Sequence, residues 1–344
     1  MRVTLNDVSK VARVSASTVS HVLNGTRHVN EDTKQRVMDA IEQTGYIPNL
    51  MAKSLKQSAS NTIGIVVSDI RNEFFVNIIH VIDEEARKMG CQVFVSSSDE
   101  NPKKELEIVK AFCERRVDGI IYSPTKGSDQ YSVNYLKKSQ VPVVMIDRLV
   151  GNDFDWVGVE NYASIKKLVK YLVDLGYTKI GFLAGFRGIS TTEERIQGFL
   201  DAIEEFHLEK NDGWLITGDY RKDMVSEQVI QVMQAQTVPE AWIAANNRMI
   251  YNAMQAINVL GLKIPEDVAL AAFGDFEWSD YFEPRITTLV QSCNTIGIQA
   301  VELLKQRIKN PAMPVQRIEV ASELVIRESC GEKTAALSKI YKNE

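Results

Sequence analysis

Short, continuous apolar runs alternate with longer amphipathic stretches through most of this 344-residue chain. The first run is Ile63–Val67, and a helical pattern over residues 74–89 follows it. Apolar runs of this length between helices are typical of parallel strands that are covered on both faces. Further runs occur at 92–95, 119–122, 141–146, 180–184, 241–245 and 268–273. The alternation predicts an α/β fold with two doubly wound, parallel-sheet lobes.

The N-terminal part of the chain has a different pattern, that of three short capped helices. Thr4, Ser15 and Asn30 are each placed to cap one helix, and Gly25 and Gly45 can end the second and third. A tight joint between the first two helices is typical of a helix-turn-helix, whose second helix enters the DNA major groove. The spacing alone leaves open any other small helical subdomain.

The outward face of the second helix favours DNA binding over a merely solvated surface. A solvated face usually carries Glu and Lys, whereas small or hydroxyl-bearing residues can approach base edges and phosphates. The residues on this face are Ala16, Ser17, Thr18, Ser20 and His21. The first 60 residues also carry eight Lys/Arg against five acids, a net charge of +3 against −8 for the other 284. A basic head on an acidic body can approach phosphates.

Composition excludes several classes of protein. With 44% apolar and 25% charged residues the chain is an ordinary globular protein, and its four cysteines lie too far apart for a zinc site or a disulfide framework. It has no signal-peptide pattern and no apolar stretch near the roughly 18 residues of a membrane span. Hydrolase, nucleotide-binding and metalloprotease motifs are absent. We therefore expect a cytoplasmic protein without membrane partner, metal, cofactor or catalytic residues.

Three stretches, Val3–Val8, Val14–Asn24 and Tyr46–Asn49, resemble the DNA-binding head of the LacI/GalR (lactose/galactose repressor) family. One departure is Arg13, because the family favours glycine or asparagine in this turn. If the turn requires a positive φ, arginine costs roughly 1–2 kcal/mol there. The resemblance implies DNA contacts by Thr4, Ser15, Ala16, Ser17, Thr18, Ser20, His21 and Asn24.

The segment after the head resembles the hinge helix of the same family. From its residues alone it is a flexible linker, because so short a helix is not stable by itself in water. The resemblance implies that it folds on operator DNA, pairs with its dimer mate and inserts Leu55 into the minor groove. The DNA contacts implied in this segment are Asn49, Ala52, Ser54, Leu55 and Lys56.

The rest of the chain resembles the sugar-binding core of this family, which shares its architecture with periplasmic sugar-binding proteins. Asn72–Phe75, Pro142–Arg148 and Glu194–Phe199 are among the matching stretches. The resemblance implies three crossings between the lobes. The predicted domains are a helix-turn-helix head (1–46), a hinge (47–61), an N-terminal lobe (62–160 plus 291–320) and a C-terminal lobe (161–290 plus 321–344).

Strand ends of two such lobes face a common crevice, which is the usual ligand position in open α/β sheets. Asp147 and Asp275 each follow an apolar strand, where a carboxylate can accept from two hydroxyls or cap the next helix. The resemblance implies effector contacts by Phe74, Phe75, Ser123, Asp147, Arg195, Tyr220, Asn246 and Asp275. Arg195 would donate a fork of hydrogen bonds, and Tyr220 or Phe75 would pack on a sugar ring.

Arginines in loops at the expected mouth of this crevice leave the charge of the effector open. Arg71, Arg187 and Arg248 could favour an anionic effector such as a sugar acid or sugar phosphate. Equally, they could be solvated surface residues.

These observations predict a homodimeric transcriptional regulator, a repressor, that binds a pseudo-palindromic double-stranded DNA operator and responds to a sugar-like effector. Two heads are needed because one helix-turn-helix reads only a few base pairs. The alternatives are a cytoplasmic sugar-binding protein or an enzyme that uses the same two-lobe fold without operator binding.

Overall fold

The computed structural model describes residues 3–25, 27–47, 60–218, 224–276, 279–281 and 283–331. The chain divides into two compact units, the head (Met1–Ser60) and the core (Asn61–Glu344). Most of the predicted hinge, residues 48–59, lies outside the described residues. Among the described residues, no helix is long and apolar enough to cross a membrane.

The described part of the head contains three helices, and local capping sets where each begins. They are α1 (Leu5–Ala12), α2 (Ala16–Asn24) and α3 (Glu31–Thr44). The Thr4 backbone N–H and hydroxyl both donate to the Asp7 carboxylate, at 2.9 and 2.7 Å. Ser15 Oγ accepts from the Thr18 N–H at 3.1 Å, and Asn30 Oδ1 accepts from the Thr33 N–H at 2.9 Å. The predicted caps are therefore confirmed.

A small apolar core holds these helices together. Val8, Val19, Val37 and Ala40 are at most 2% exposed and form its centre. Because these residues come from all three helices, the fold of the head depends on burying one face of each.

The first sheet of the core has six parallel strands in the order β11-β5-β4-β3-β1-β2. The strands β1, β3, β4 and β5 are almost wholly buried, as continuous apolar strands between two helical layers must be. The elements are β1 (Thr62–Val67), β2 (Gln92–Ser97), β3 (Gly119–Tyr122), β4 (Val143–Ile146), β5 (Asp155–Val159) and β11 (Arg317–Val320), with helices α4 (Glu73–Lys88), α5 (Pro102–Glu114), α6 (Ser132–Ser139) and α11 (Cys293–Lys309).

The second sheet has the order β12-β10-β9-β8-β6-β7, and all its pairings are parallel except β10 with β12. Its strands are β6 (Ile180–Ala184), β7 (Leu215–Thr217), β8 (Ala241–Ala244), β9 (Ala269–Phe273), β10 (Thr287–Val290) and β12 (Glu323–Val325), and its helices are α7 (Tyr162–Asp174), α8 (Ser190–Glu205), α9 (Met224–Met233) and α10 (Asn247–Val259). The predicted fold class, a helix-turn-helix head followed by two doubly wound lobes, is confirmed.

The chain passes between the two sheets at three places. It leaves the first sheet after β5, returns after β10, and leaves again between β11 and β12. Five strands flank these crossings; β6 was predicted, but β5, β10, β11 and β12 were not. They have three to five residues each, and at this length an apolar run is hard to separate from loop.

A buried ion pair holds the last strand of the first sheet in place. Arg307 on α11 donates from Nε and Nη2 to the Asp155 carboxylate, at 2.8 Å each. The Gln316 N–H donates to the same carboxylate at 2.8 Å, and Arg307 also donates to the carbonyl oxygens of Pro311 and Pro314. The Asp155 side chain is fully buried, so this pair organises the loop that leads into β11.

Removing one member of this pair should destabilise the core strongly. In Asp155→Ala, Arg307 keeps its charge in a buried position without a counter-charge, and we expect a loss of about 3–5 kcal/mol in unfolding free energy. Urea denaturation measures this loss. Glu302→Ala is the matched control, because its pair with Lys305 on the same helix is exposed and should change stability by at most about 0.5 kcal/mol. Equal effects of the two substitutions would contradict the assigned role.

Candidate DNA-binding face and effector cleft

Three hydroxyl groups cluster at the N-terminus of α2. Ser15 Oγ lies 2.8 Å from both Ser17 Oγ and Thr18 Oγ1. The first N–H groups of a helix and its dipole attract anions, and hydroxyls can donate to phosphate oxygens. This end of α2 therefore has the chemistry of a DNA-backbone contact.

The other predicted contacts of the head vary in exposure. Ser17 is exposed, whereas Ala16, Ser20 and His21 are half-buried. The Asn24 amide donates to the Ser20 carbonyl at 2.8 Å, so its N–H group already serves the C-terminal turn of α2. The predicted contacts Asn49, Ala52, Ser54, Leu55, Lys56 and Tyr220 lie outside the described residues.

In the core, Asp147 stands where β4 ends and has left-handed backbone geometry with φ of 60°. Its carboxylate is 12% exposed and accepts no hydrogen bond from the described residues, the nearest cation being Arg148 Nε at 3.7 Å. Burial raises the pKa of Asp147, although the charges of Arg148 and Arg195 oppose that rise. A buried carboxylate with unused acceptor capacity suits a ligand that donates hydrogen bonds.

Arg148 is engaged on its other side by Glu100. Its Nη1 and Nη2 groups donate to the two carboxylate oxygens of Glu100 at 2.9 and 2.7 Å. Both side chains are largely buried, at 11% and 4% exposure. Arg148 is therefore hydrogen-bonded to Glu100, whereas its Nε lies 3.7 Å from the Asp147 carboxylate, beyond hydrogen-bond distance.

Arg195 on α8 is buried at the facing edge of the second sheet. Its Nε donates to Asn161 Oδ1 at 2.8 Å, its Nη1 donates to the Ala245 carbonyl at 2.6 Å, and its guanidinium lies 3.8 Å from the centre of the Phe273 ring. Burial lowers the pKa of Arg195 to about 10, so it remains a cation at neutral pH. Its Nη2 group makes no hydrogen bond to the described residues and is available to a ligand.

Asp275 and Asn246 follow β9 and β8 and are both partly engaged. The Arg327 guanidinium donates to the Asp275 carboxylate at 2.7 and 3.2 Å, and the Phe276 N–H donates to it at 3.1 Å. Asn246 caps α10 by accepting from the Met249 N–H at 3.1 Å. Arg327 thus orients one of the two predicted carboxylates.

The two predicted phenylalanines have different environments. Phe75 is 2% exposed and packs in the core with Ile78 and Ile82, so its predicted packing against a sugar ring is not supported. Phe74 is only partly buried and meets Phe75 edge to face, with ring centres 5.4 Å apart. Phe74 is therefore the better placed of the two rings.

Ser123 lies at the end of β3 and is fully buried, with a hydroxyl that has no partner among the described residues. The loop that follows it is held by Glu105 on α5. The Glu105 carboxylate accepts from the Tyr122 hydroxyl at 2.6 Å and from the Thr125 N–H at 2.7 Å. Burial raises the pKa of Glu105 although these hydrogen bonds oppose the rise.

Two of the three arginines expected at the cleft mouth pair with neighbouring acids. Arg71 donates to the Asp69 carboxylate at 2.8 and 2.9 Å. Arg187 pairs with Glu193 at 2.9 Å. These pairs favour the interpretation of both arginines as surface residues over an anionic effector.

The two lobes touch across the cleft. The Leu149 N–H, after β4, donates to Ser190 Oγ at the start of α8, at 2.9 Å. The Lys126 side chain, after β3, lies against Gly188 of the second lobe. These contacts join the two lobes beside the crevice.

Several residues that shape the cleft were not predicted from the sequence. Glu100, Asn161 and Arg327 each hold a predicted residue or its neighbour. Glu100 lies in the loop after the predicted strand β2 but was not singled out. Asn161 lies two residues after β5, which the apolar pattern did not reveal. Arg327 is 52 residues from its partner Asp275, a distance at which no local pattern links the two.

Models of two known protein families match this chain, one in the head and one in the core. The family described as "Bacterial regulatory proteins, lacI family" matches residues 4–49, and the "Periplasmic binding protein-like domain" matches residues 169–330. The HTH-type transcriptional repressor PurR of Aliivibrio salmonicida is 33% identical over 327 residues, which are 95% of this chain and 98% of that protein. PurR of Mannheimia succiniciproducens is 34% identical over 328 residues with the same coverage.

Among solved structures, the lac repressor dimer bound to operator and the anti-inducer ONPF is similar, with a TM-score of 0.83 and 27% identity. The match covers 96% of this chain and all of that one. A helix-turn-helix joined to a two-lobe core of this kind defines a ligand-responsive DNA-binding regulator. The chain belongs to the LacI family of bacterial regulatory proteins, and it is a transcriptional repressor with a ligand-binding core.

The buried Glu105 should give the core a characteristic pH dependence. Its pKa in the folded protein is raised above 4.5, so folding favours the protonated form. Its contribution to stability is therefore complete below about pH 4.5 and is lost as pH rises through the folded-state pKa. Glu105→Gln should remove this contribution.

Unfolding free energies of the parent and Glu105→Gln, measured by urea denaturation from pH 4 upward, test the expectation. The parent should lose stability relative to the variant as pH rises. Glu107→Gln, an exposed acid on the same helix, should leave the pH profile of the parent unchanged. A constant difference between the parent and Glu105→Gln at every pH would contradict it.

Proposed function

We propose that this repressor binds a pseudo-palindromic operator as a homodimer, and that a small sugar-like effector held between its core lobes controls operator affinity. The observation that carries the proposal is the helix-turn-helix head with the hydroxyls of Ser15, Ser17 and Thr18 gathered at the N-terminus of α2. A protein that only bound or processed a sugar would have no use for such a face. Because it acts on DNA, we place it in the cytoplasm.

In this proposal α2 enters the major groove and the hinge contacts the minor groove. Ser17 and His21 face base edges, and the N-terminal hydroxyls of α2 contact phosphates. The full proposed set is Thr4, Ser15, Ala16, Ser17, Thr18, Ser20, His21 and Asn24 in the head, with Asn49, Ala52, Ser54, Leu55 and Lys56 in the hinge.

Exposed apolar side chains on the core support dimerisation. Val76 and Phe94 are 47% and 41% exposed on the first lobe, where β2 is an edge strand. Tyr251, Val259 and Tyr281 are 55%, 65% and 88% exposed on the second lobe. Edge strands and exposed apolar surface are usually covered in stable proteins. In this proposal a second copy of the chain covers part of this apolar surface and brings two heads to one operator.

The effector in this proposal lies between residues 62–160 plus 291–320 on one side and 161–290 plus 321–344 on the other. Asp147 accepts hydrogen bonds from neighbouring hydroxyls and Arg195 donates to an oxygen of the same molecule. Such a pair fits a neutral polyol, which both donates and accepts. The proposed contacts are Phe74, Ser123, Asp147, Arg195, Tyr220, Asn246 and Asp275.

Coupling in this proposal follows from a change in the separation of the lobes when the effector binds. An effector that changes the separation changes the free-energy difference between the DNA-bound and free forms, and this difference is the allosteric coupling. The contact between Leu149 and Ser190 would be broken and remade in each cycle. The hinge segments of the dimer would then be brought together or parted.

Operator binding can be tested by selection from random-sequence DNA, which finds the operator and measures its symmetry in one experiment. The intact chain should select a pseudo-palindrome, and the two-half-site duplex should bind far more tightly than a single half-site. A truncation that lacks residues 1–60 leaves only the core. Because the core is a compact unit by itself, the truncated protein should fold, but it should bind neither duplex. Specific DNA binding by the truncated core would contradict the proposal.

The effector site can be tested by thermal shift against neutral sugars, sugar acids, sugar phosphates and purines. A neutral sugar should raise the melting temperature of the parent and change its operator affinity. Asp147→Asn should abolish the shift, because an amide has one acceptor oxygen where a carboxylate has two. Asp153→Asn, an exposed aspartate six residues away, should preserve it. A shift that survives Asp147→Asn would place the site elsewhere.

A further inference from the structure

Arg13 adopts a backbone conformation that arginine rarely takes. It ends α1 with φ of 53° and ψ of 48°, in the left-handed region. Within residues 3–25 and 27–47 it is the only non-glycine residue with a positive φ. Glycine adopts this geometry without steric conflict, and asparagine tolerates it better than arginine does. Arg13 is therefore strained at a position where glycine or asparagine would be less strained.

The folded head gives no reason for the arginine. The turn is closed by backbone hydrogen bonds, from the Arg13 N–H to the Lys10 carbonyl and from the Val14 N–H to the Ser9 carbonyl, which any residue could make. The Arg13 side chain is exposed and has no hydrogen bond or ion pair with the described residues. By contrast, Lys34 and Arg36 on α3 pair with acids of their own helix.

The position of Arg13 suggests what it binds. It lies two residues before Ser15, the cap of α2, and therefore beside the cluster of hydroxyls at the N-terminus of that helix. A guanidinium group matches the oxygens of a phosphate bidentately and keeps its charge at every physiological pH. Unfavourable backbone geometry that persists at one site is a reason to look for function there.

We propose that Arg13 contacts the DNA backbone, its guanidinium binding a phosphate that flanks the major-groove segment entered by α2. The inference rests on the proposed function, since it requires the head to bind DNA. It adds a residue to the DNA-binding set, one that supplies affinity without reading sequence. The strain at Arg13 is then the cost of placing a cation at this point of the head.

Two full-length variants separate the charge from the backbone strain. Arg13→Gln and Arg13→Lys both keep a Cβ in the left-handed turn, but only the lysine keeps the charge. Binding is measured by fluorescence anisotropy on the selected operator and on a random-sequence duplex, between about 50 and about 200 mM salt. Lys210→Gln removes a charge from the exposed surface of the core and controls for net charge.

We expect Arg13→Gln to weaken binding to both duplexes by a similar factor, about 3- to 10-fold at low salt. The slope of log affinity against log salt should fall in magnitude by about 1, as for one lost phosphate contact. Arg13→Lys should recover most of the affinity and the slope. Lys210→Gln should behave as the parent protein.

Arg13→Asn tests the strain itself. We expect slower amide hydrogen exchange at Val8, Val19 and Val37, because asparagine relaxes the turn, together with the same loss of DNA affinity as in Arg13→Gln. A variant that is more stable and yet binds DNA less well cannot be explained by unfolding of the head.

Three results would overturn the proposal. They are an unchanged affinity and salt slope in Arg13→Gln, a loss confined to the operator duplex, which would indicate a base contact, and a loss of the same size in Arg13→Lys. Failure of the parent chain to bind any DNA is a different outcome, because it would contradict the proposed function of the whole head.

Discussion

The burial of both sheets on both faces is the constraint on which the core depends. Strands such as β3, β4 and β6 expose almost nothing along their length, so polar chemistry is confined to the residues that follow them. Charges that leave water at these ends need partners, because an unpaired buried charge is costly. This requirement produces the pairs Glu100 with Arg148 and Asp275 with Arg327. Asp147 and Arg195 stand among these pairs with hydrogen-bonding capacity left over at the candidate cleft.

The three crossings give each lobe strands from distant parts of the chain, so that β11 completes the first sheet and β12 the second. The Asp155 and Arg307 pair fixes the approach to β11 within one lobe and does not bridge the cleft. Across the cleft, the Leu149 N–H donates a hydrogen bond to Ser190, and the stem of Lys126 lies against Gly188. Single contacts of this kind can break and re-form during hinge motion.

Local features of the fold could be predicted from the sequence, and long-range ones could not. The caps at Thr4, Ser15 and Asn30 involve partners three residues away, so the sequence contains both members of each interaction in one short window. The longer apolar strands are also visible within one short window of sequence. Asp155 and its partner Arg307 are 152 residues apart, and neither looks unusual alone. Phe75 was expected at a ligand because of its place in a motif, but the helical face it occupies packs inward, and only the fold determines which neighbour, Phe74 or Phe75, stays accessible.

Several non-glycine residues of this chain have left-handed backbone geometry, and this geometry does not by itself indicate a functional residue. Arg116, Gln140 and His207 have positive φ where a helix ends, a position at which one residue commonly turns left-handed to satisfy the last carbonyl groups. Arg13 and Asp147 have the same geometry but differ in what their side chains do. Asp147 follows a strand, and its carboxylate is buried without a hydrogen bond from the described residues. Arg13 carries a charge into solvent beside α2, the helix that we propose contacts DNA. Arg116 also ends a helix with an exposed side chain, so Arg13 is distinguished by its place beside the hydroxyl groups of Ser15, Ser17 and Thr18, and Asp147 by its burial at the end of a strand. In our proposals the strain at both residues is explained by a molecule that binds there, an effector at Asp147 and DNA at Arg13.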